Sequence, residues 1–130
     1  MNGSAYVTED IIDDNWEVYG GTINLKGLKR QYEFGGFKYV GKEALEVYKV
    51  SYVVKIKQLL GLLPEERLSM SSIGDSEKWT ISNGFEYGPV NGETHSLDVL
   101  RTYLISDVVI QIILEKEDGT ETQTLTIPVK

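Results

Sequence analysis

Apolar and polar positions alternate at period two along much of this chain. The clearest run is Glu46–Lys57. There Tyr48, Val50, Tyr52, Val54 and Ile56 fall on one face, and Lys49, Ser51, Lys55 and Lys57 on the other. A helix cannot sort those residues that way, and their β-branched and aromatic character suits a strand. Val108–Leu114 is nearly continuous apolar, the pattern of a strand buried on both faces. Glu117-Asp118-Gly119-Thr120 then turns the chain. Thr122, Thr124 and Thr126 alternate with Leu125 and Ile127, which predicts a strand with one wet face. Pro128 and the threonine row mark it as an edge strand.

Shorter runs separated by glycine read as further hairpins. Trp16 and Val18 precede Gly20-Gly21, with Ile23 and Leu25 after it; Tyr32 and Phe34 precede Gly35-Gly36, with Phe37 and Tyr39 after it. Trp79 and Ile81 lead into Asn83-Gly84, followed by Phe85 and Tyr87. Asn-Gly between alternating runs predicts a type I′ hairpin turn, because both central residues need positive φ. Asn91-Gly92 predicts another turn, Gly74-Asp75-Ser76 a loop and Leu68–Ser72 a short strand.

Helix signals are few. Thr8 stands where an N-cap would, ahead of Glu9 and Asp10, so residues 1–14 read as an arm or short helix. Ser96 caps a second candidate, Ser96–Leu104, in which Leu97, Leu100 and Leu104 share a helix face; the alternative is a strand with Leu97, Val99, Tyr103 and Ile105 on one side. The sum is one mainly β domain over residues 1–130. It predicts an antiparallel β-sandwich or barrel with one or two short helices; an α+β arrangement is the alternative.

Composition narrows the chemistry. The chain has no cysteine, which removes disulfides, thiolate nucleophiles and Cys-based metal sites. His95 is its single histidine, so no His–His metal pair forms within one chain. No apolar run approaches the roughly 20 residues of a membrane span, and no basic leader opens the sequence. The expectation is a cytoplasmic protein without membrane contact, or a virion component if it belongs to an assembly.

The net charge of −7 disfavours bulk attraction to nucleic acid or an anionic membrane. Yet residues 26–57 hold eight bases against three acids. That block either pairs within the fold or presents a basic face.

Candidate catalytic groups do not assemble from the sequence. Glu93, His95 and Ser96 make a triad only on paper, because chain neighbours rarely face one another in triad geometry. There is no Gly-x-Ser-x-Gly elbow and no phosphate-cradling glycine motif. The acids at 9, 10, 13, 14 and 17 lack the alternation and glycine turn of a calcium loop. No catalytic residue, metal ligand or cofactor is therefore assigned, and an enzyme is not expected.

Aromatic side chains are the remaining candidates for binding. Tyr32, Phe37 and Tyr39 interleave with Arg30, Lys38 and Lys42, as in surfaces that stack single-stranded nucleic acid. Trp79, Phe85 and Tyr87 are residue types that anchor protein interfaces. The expected function is a non-enzymatic, acidic protein-interaction domain. It docks on a basic partner protein and neutralises it in the manner of an inhibitor or immunity protein. The alternatives are a self-associating subunit of a repeating assembly, such as a phage tail or head-joining component, and a barrel that binds single-stranded nucleic acid or a small ligand.

Overall fold

The structure, a computed structural model, describes residues 4–96 and 104–129. The mainly β, antiparallel expectation holds. The described residues form twelve strands: β1 (Ser4–Val7), β2 (Ile11–Asp13), β3 (Trp16–Val18), β4 (Gly21–Lys26), β5 (Lys29–Phe34), β6 (Phe37–Tyr39), β7 (Leu45–Gln58), β8 (Glu66–Ile81), β9 (Glu86–Tyr87), β10 (Val90–His95), β11 (Ile105–Lys116) and β12 (Gly119–Pro128). Their one helical element is a 3₁₀ turn at Leu59–Gly61. The helix expected at Ser96–Leu104 lies, between its two end residues, outside the described residues.

The long strands form a straight sheet in the order β12-β11-β7-β8, every pair antiparallel. The C-terminal hairpin is as predicted, with Lys116 opposite Gly119 and β12 at the edge. Val108, Ile110, Ile112 and Leu114 of β11 face inward and are buried. The other face is only partly covered: Val109 is buried, but Gln111 and Ile113 are half-buried. In β7, Val50, Tyr52, Val54 and Ile56 face inward as expected, but Tyr48 does not keep their phase. The pairing jumps from Val47–Trp79 to Lys49–Gly74, so Tyr48 opposes the bulged residues Asp75 to Lys78. Val47 is buried in its place.

The short strands form two four-stranded ladders, β1-β4-β5-β10 and β2-β3-β6-β9. Their orders match position by position, and each strand runs straight into its counterpart: β1 into β2, β3 into β4, β5 into β6, β9 into β10. They are one four-stranded sheet folded along a common crease. The crease runs through Thr8–Asp10, Tyr19-Gly20, Gly35-Gly36 and Gly88-Pro89.

This crease overturns three sequence expectations. Gly20-Gly21 and Gly35-Gly36 are not hairpin turns: the strands flanking each pair lie in different ladders and do not pair with each other. Residues 1–14 are not an arm or a helix where described, because β1 pairs with β4 and β2 with β3. Thr8 does cap backbone, but across the crease. Its Oγ1 accepts from Gly21 N–H at 2.9 Å, and Asp10 Oδ1 accepts from Gly20 N–H at 2.7 Å.

Glycine is required here by space. A Cβ on Gly36 would lie 1.7 Å from the Tyr87 carbonyl oxygen, and one on Gly20 2.1 Å from that of Thr8. Gly36 also has φ +85, which side-chain-bearing residues adopt at a cost.

Two further turns are corrected. Asn83-Gly84 does turn the chain, with Phe85 N–H donating to the Ser82 carbonyl at 3.0 Å. Only Gly84 has positive φ, so the turn is of type II rather than I′. It joins β8 of the straight sheet to β9 of the creased one and closes no hairpin. Asn91 and Gly92 lie within β10, opposite Glu33 and Tyr32.

The sheets pack face to face around one core. Val18, Ile23, Leu25, Phe34 and Phe37 come from the creased sheet and meet the inward rows of β7 and β11. Fully burying side chains of this size is worth about 1.5–3 kcal/mol each. The sides of the sandwich are closed by side chains. On one side Arg30, fully buried, donates to both carboxylate oxygens of Glu66 at 2.9 and 2.6 Å. Nearby, Tyr87 Oη donates to Ser71 Oγ at 2.8 Å. On the other side Gln123 Nε2 donates to Asp13 Oδ2.

Candidate functional site

Most of the predicted aromatic site is interior. Phe37, Tyr39 and Tyr87 are core residues, which corrects their reading as a binding surface. Phe37 stacks on Tyr87 at 5.4 Å with planes 5° apart, and Trp16 meets Phe37 edge-on at 5.3 Å. Tyr32, Trp79 and Phe85 are half-buried and pack against the same core. The Trp79 indole N–H is engaged by the Tyr48 carbonyl at 3.1 Å. Alternation placed these rings correctly on one face of each strand; which face looks inward is decided by the opposing sheet. Tyr52, in mid-core, has its phenol pushed well above the usual range by burial, only partly offset by the Gly36 backbone.

Half of the basic block, four of its eight bases, pairs within the fold. Lys29 meets Glu93 at 3.0 Å, Lys49 meets Glu115 at 3.6 Å and Lys57 meets Glu65 at 3.9 Å, in addition to Arg30 with Glu66. His95 is exposed at the end of β10, with Nε2 4.0 Å from Glu93. The Glu93 carboxyl is held below its usual range, chiefly by its hydrogen bond from Lys29.

An acidic surface that the sequence did not single out lies on the outer face of β2, β3, β6 and β9. Ile12, Glu17, Lys38 and Glu86 form one cross-strand row. Ile12 is 68% exposed although its neighbour Ile11 packs on the core. Tyr19 stands beside the row at the crease, half-exposed, with Asp10 close by. Its phenol is raised above the ordinary value, first by partial desolvation, then by hydrogen bonding to Glu17 and the charges of Glu17, Glu86 and Asp10. Asp14, exposed in the β2–β3 turn, extends the negative rim. The signal for this surface was the Ile11-Ile12 pair, in which period two sends one residue in and the other out.

An open cleft of about 850 Å³ lies at the end of the sandwich where β7 begins, lined by Leu45, Glu46, Lys78, Thr80, Lys116 and Glu117 among others. Lys78 Nζ sits 2.7 Å from Glu117 and 3.9 Å from Glu46. The hydrogen bond with Lys78 lowers the Glu117 carboxyl and raises the Lys78 ammonium. Lys78, Glu46 and Glu117 in the cleft are thus partnered with one another. Among the described residues no three His, Asp or Glu side chains gather as a metal site, and no helix is long and apolar enough to cross a membrane.

Comparison with protein-family models, with curated proteins and with solved structures finds no match to this chain.

Proposed function

We propose that this chain is a non-enzymatic docking domain that engages a basic partner protein through the outer face of β2, β3, β6 and β9. The observation that carries the reading is the outer row itself, in which the exposed Ile12 on edge strand β2 is followed by Glu17, Lys38 and Glu86, with Tyr19 and Asp10 near Glu17. An exposed apolar side chain next to an aromatic ring and charged groups combines the residue types found at protein interfaces. Negative charge at the rim steers a basic partner and raises the association rate. Covering a basic functional surface in this way is how an inhibitor or immunity-type protein would act. The nucleic-acid alternative receives no comparable support, because Phe34, Phe37 and Tyr39 are enclosed in the core.

The test is capture of a partner from host lysate at low and high salt, followed by kinetics with Glu17→Lys/Glu86→Lys and Ile12→Arg. The charge reversals should slow association by roughly tenfold at low salt and flatten its salt dependence. Ile12→Arg should speed dissociation. A partner whose binding ignores salt and both variants would overturn the reading.

A further inference from the structure

Among the described residues, the β7–β8 connection, Leu59 to Glu65, is the most apolar projection. Leu60 is 89% exposed and Leu62 84% exposed, on either side of Gly61. Leu59 and Leu60 both hold left-handed backbone, at φ 50 and φ 53, which leucine seldom adopts. Leu104 joins the same end: its carbonyl accepts from Leu59 N–H at 3.0 Å, and its side chain is half exposed. Isolated surface leucines are ordinary, but two nearly naked ones at a hairpin tip are a concentrated apolar point.

Charge around this point differs from the rest of the chain. Lys55, Lys57 and Arg67 flank the tip on β7 and β8. Among the described residues the carboxylates nearby are Glu65, paired with Lys57, and Asp107, opposite Lys57 in register. Glu66 has both oxygens committed to Arg30. The tip is therefore slightly basic in a chain of net charge −7, whose acidic face lies beyond the crease.

We propose that the β7–β8 tip is a membrane-surface anchor. Leu60 and Leu62 enter the acyl boundary of an anionic bilayer, while Lys55 and Arg67 meet lipid phosphates and Lys57 stays with Glu65. An apolar tip with flanking bases matches the two forces that hold interfacial segments, area buried and attraction to anionic headgroups. A second copy of the chain fits less well: a few leucines offer far less than the roughly 800 Å² per partner of a stable interface. The anchor lies at the opposite end of the straight sheet from the β11–β12 turn. It is separate from the proposed docking face, so both surfaces can act together.

The experiment is co-sedimentation of the full chain with vesicles of phosphatidylcholine containing phosphatidylserine, and with phosphatidylcholine alone. The protein should sediment with the mixed vesicles, and Leu60→Glu/Leu62→Glu should weaken this by roughly a hundredfold. Lys55→Glu/Arg67→Glu should remove the preference for phosphatidylserine. Leu62→Trp should gain emission that brominated acyl chains quench. The tip leucines contribute nothing to the core, so each variant should melt like the parent, and Glu17→Lys/Glu86→Lys should sediment normally. The proposal is overturned if the parent chain sediments with neither vesicle, or if the leucine variant sediments as well as the parent. It is also overturned if the leucine variant loses a captured protein or a self-associated species while neither form binds lipid; the tip then belongs to a protein pocket or to a second copy.

Discussion

The creased sheet and the straight sheet line the same core but owe their shapes to different things. The straight sheet is shaped by what its side chains add. Rows of valine, isoleucine and leucine on β7, β11 and β12 fill the interior, and the backbone follows regular pairing for ten residues between β11 and β12 and nine between β11 and β7. The creased sheet is shaped by what is missing. Glycines let three of its four strands fold over at one line, and polar contacts from Thr8 and Asp10 hold the crease in place. The first kind of construction tolerates exchange among similar apolar residues. The second tolerates very little, since any added atom meets backbone.

The strongest way to break the comparison is a matched pair of core changes. Gly36→Val places atoms on the Tyr87 carbonyl at a positive φ, and should cost about 4 kcal/mol or prevent folding. Ile110→Val in the straight sheet should cost about 1 kcal/mol. Urea melts of both variants decide it, and equal losses would remove the distinction between the sheets.

The next effect belongs to the latch between them. Glu66→Ala leaves the buried Arg30 guanidinium unpaired and should cost about 3 kcal/mol. Arg30→Met/Glu66→Gln should recover part of that loss, which melting of the three proteins would show.

Thr8→Val is smaller. It keeps the shape but leaves Gly21 N–H without its side-chain acceptor, for about 1 kcal/mol. Amide exchange at Gly21 should quicken more than at Val54.

The smallest effect is electrostatic. Glu117 has its carboxyl lowered by Lys78, so its contribution to stability is complete above the ordinary carboxylate range and is lost as pH falls through the lowered value. The Tm difference between the parent and Glu117→Gln should therefore be small at neutral pH and vanish in acid. A difference that persists in acid would show a cause other than the ion pair.

Strands β7, β11 and β12 of the straight sheet were legible in the sequence because long alternation has few other solutions; β8 was not, since Glu66–Ile81 read as a short strand at Leu68–Ser72, a loop at Gly74-Asp75-Ser76 and one arm of a hairpin. Val50 to Ile56 were placed correctly, and the turn read at Glu117–Thr120 falls one residue from the observed Lys116–Gly119 closure. The crease was not legible, since a glycine pair between two short runs serves a tight turn and a fold line equally well. Only pairing at a distance separates the two: Ile23 with Tyr32 in one ladder, Val18 with Phe37 in the other. Thr8 was identified as a capping residue, but the donors it caps are 13 positions away. The aromatic candidates failed as a surface because hydrophobicity marks a face without saying whether the opposing sheet covers it. The acidic face escaped notice because three-residue strands such as β2 are too short for a period to register.

The order of the strands along the chain has a kinetic consequence. β1 to β6 are consecutive, but the last member of their sheet, β9–β10, arrives only after the whole β7–β8 hairpin. Likewise β11 must return to β7 across intervening strands. Each sheet therefore waits for a distant segment, and closing long loops is the slow part of folding such topologies. Arg30 and Phe34 stay uncovered until residues 86–95 dock, so neither half should consolidate alone. Proteins that keep only Trp16, in the creased sheet, or only Trp79, in the straight one, should report the same refolding rate.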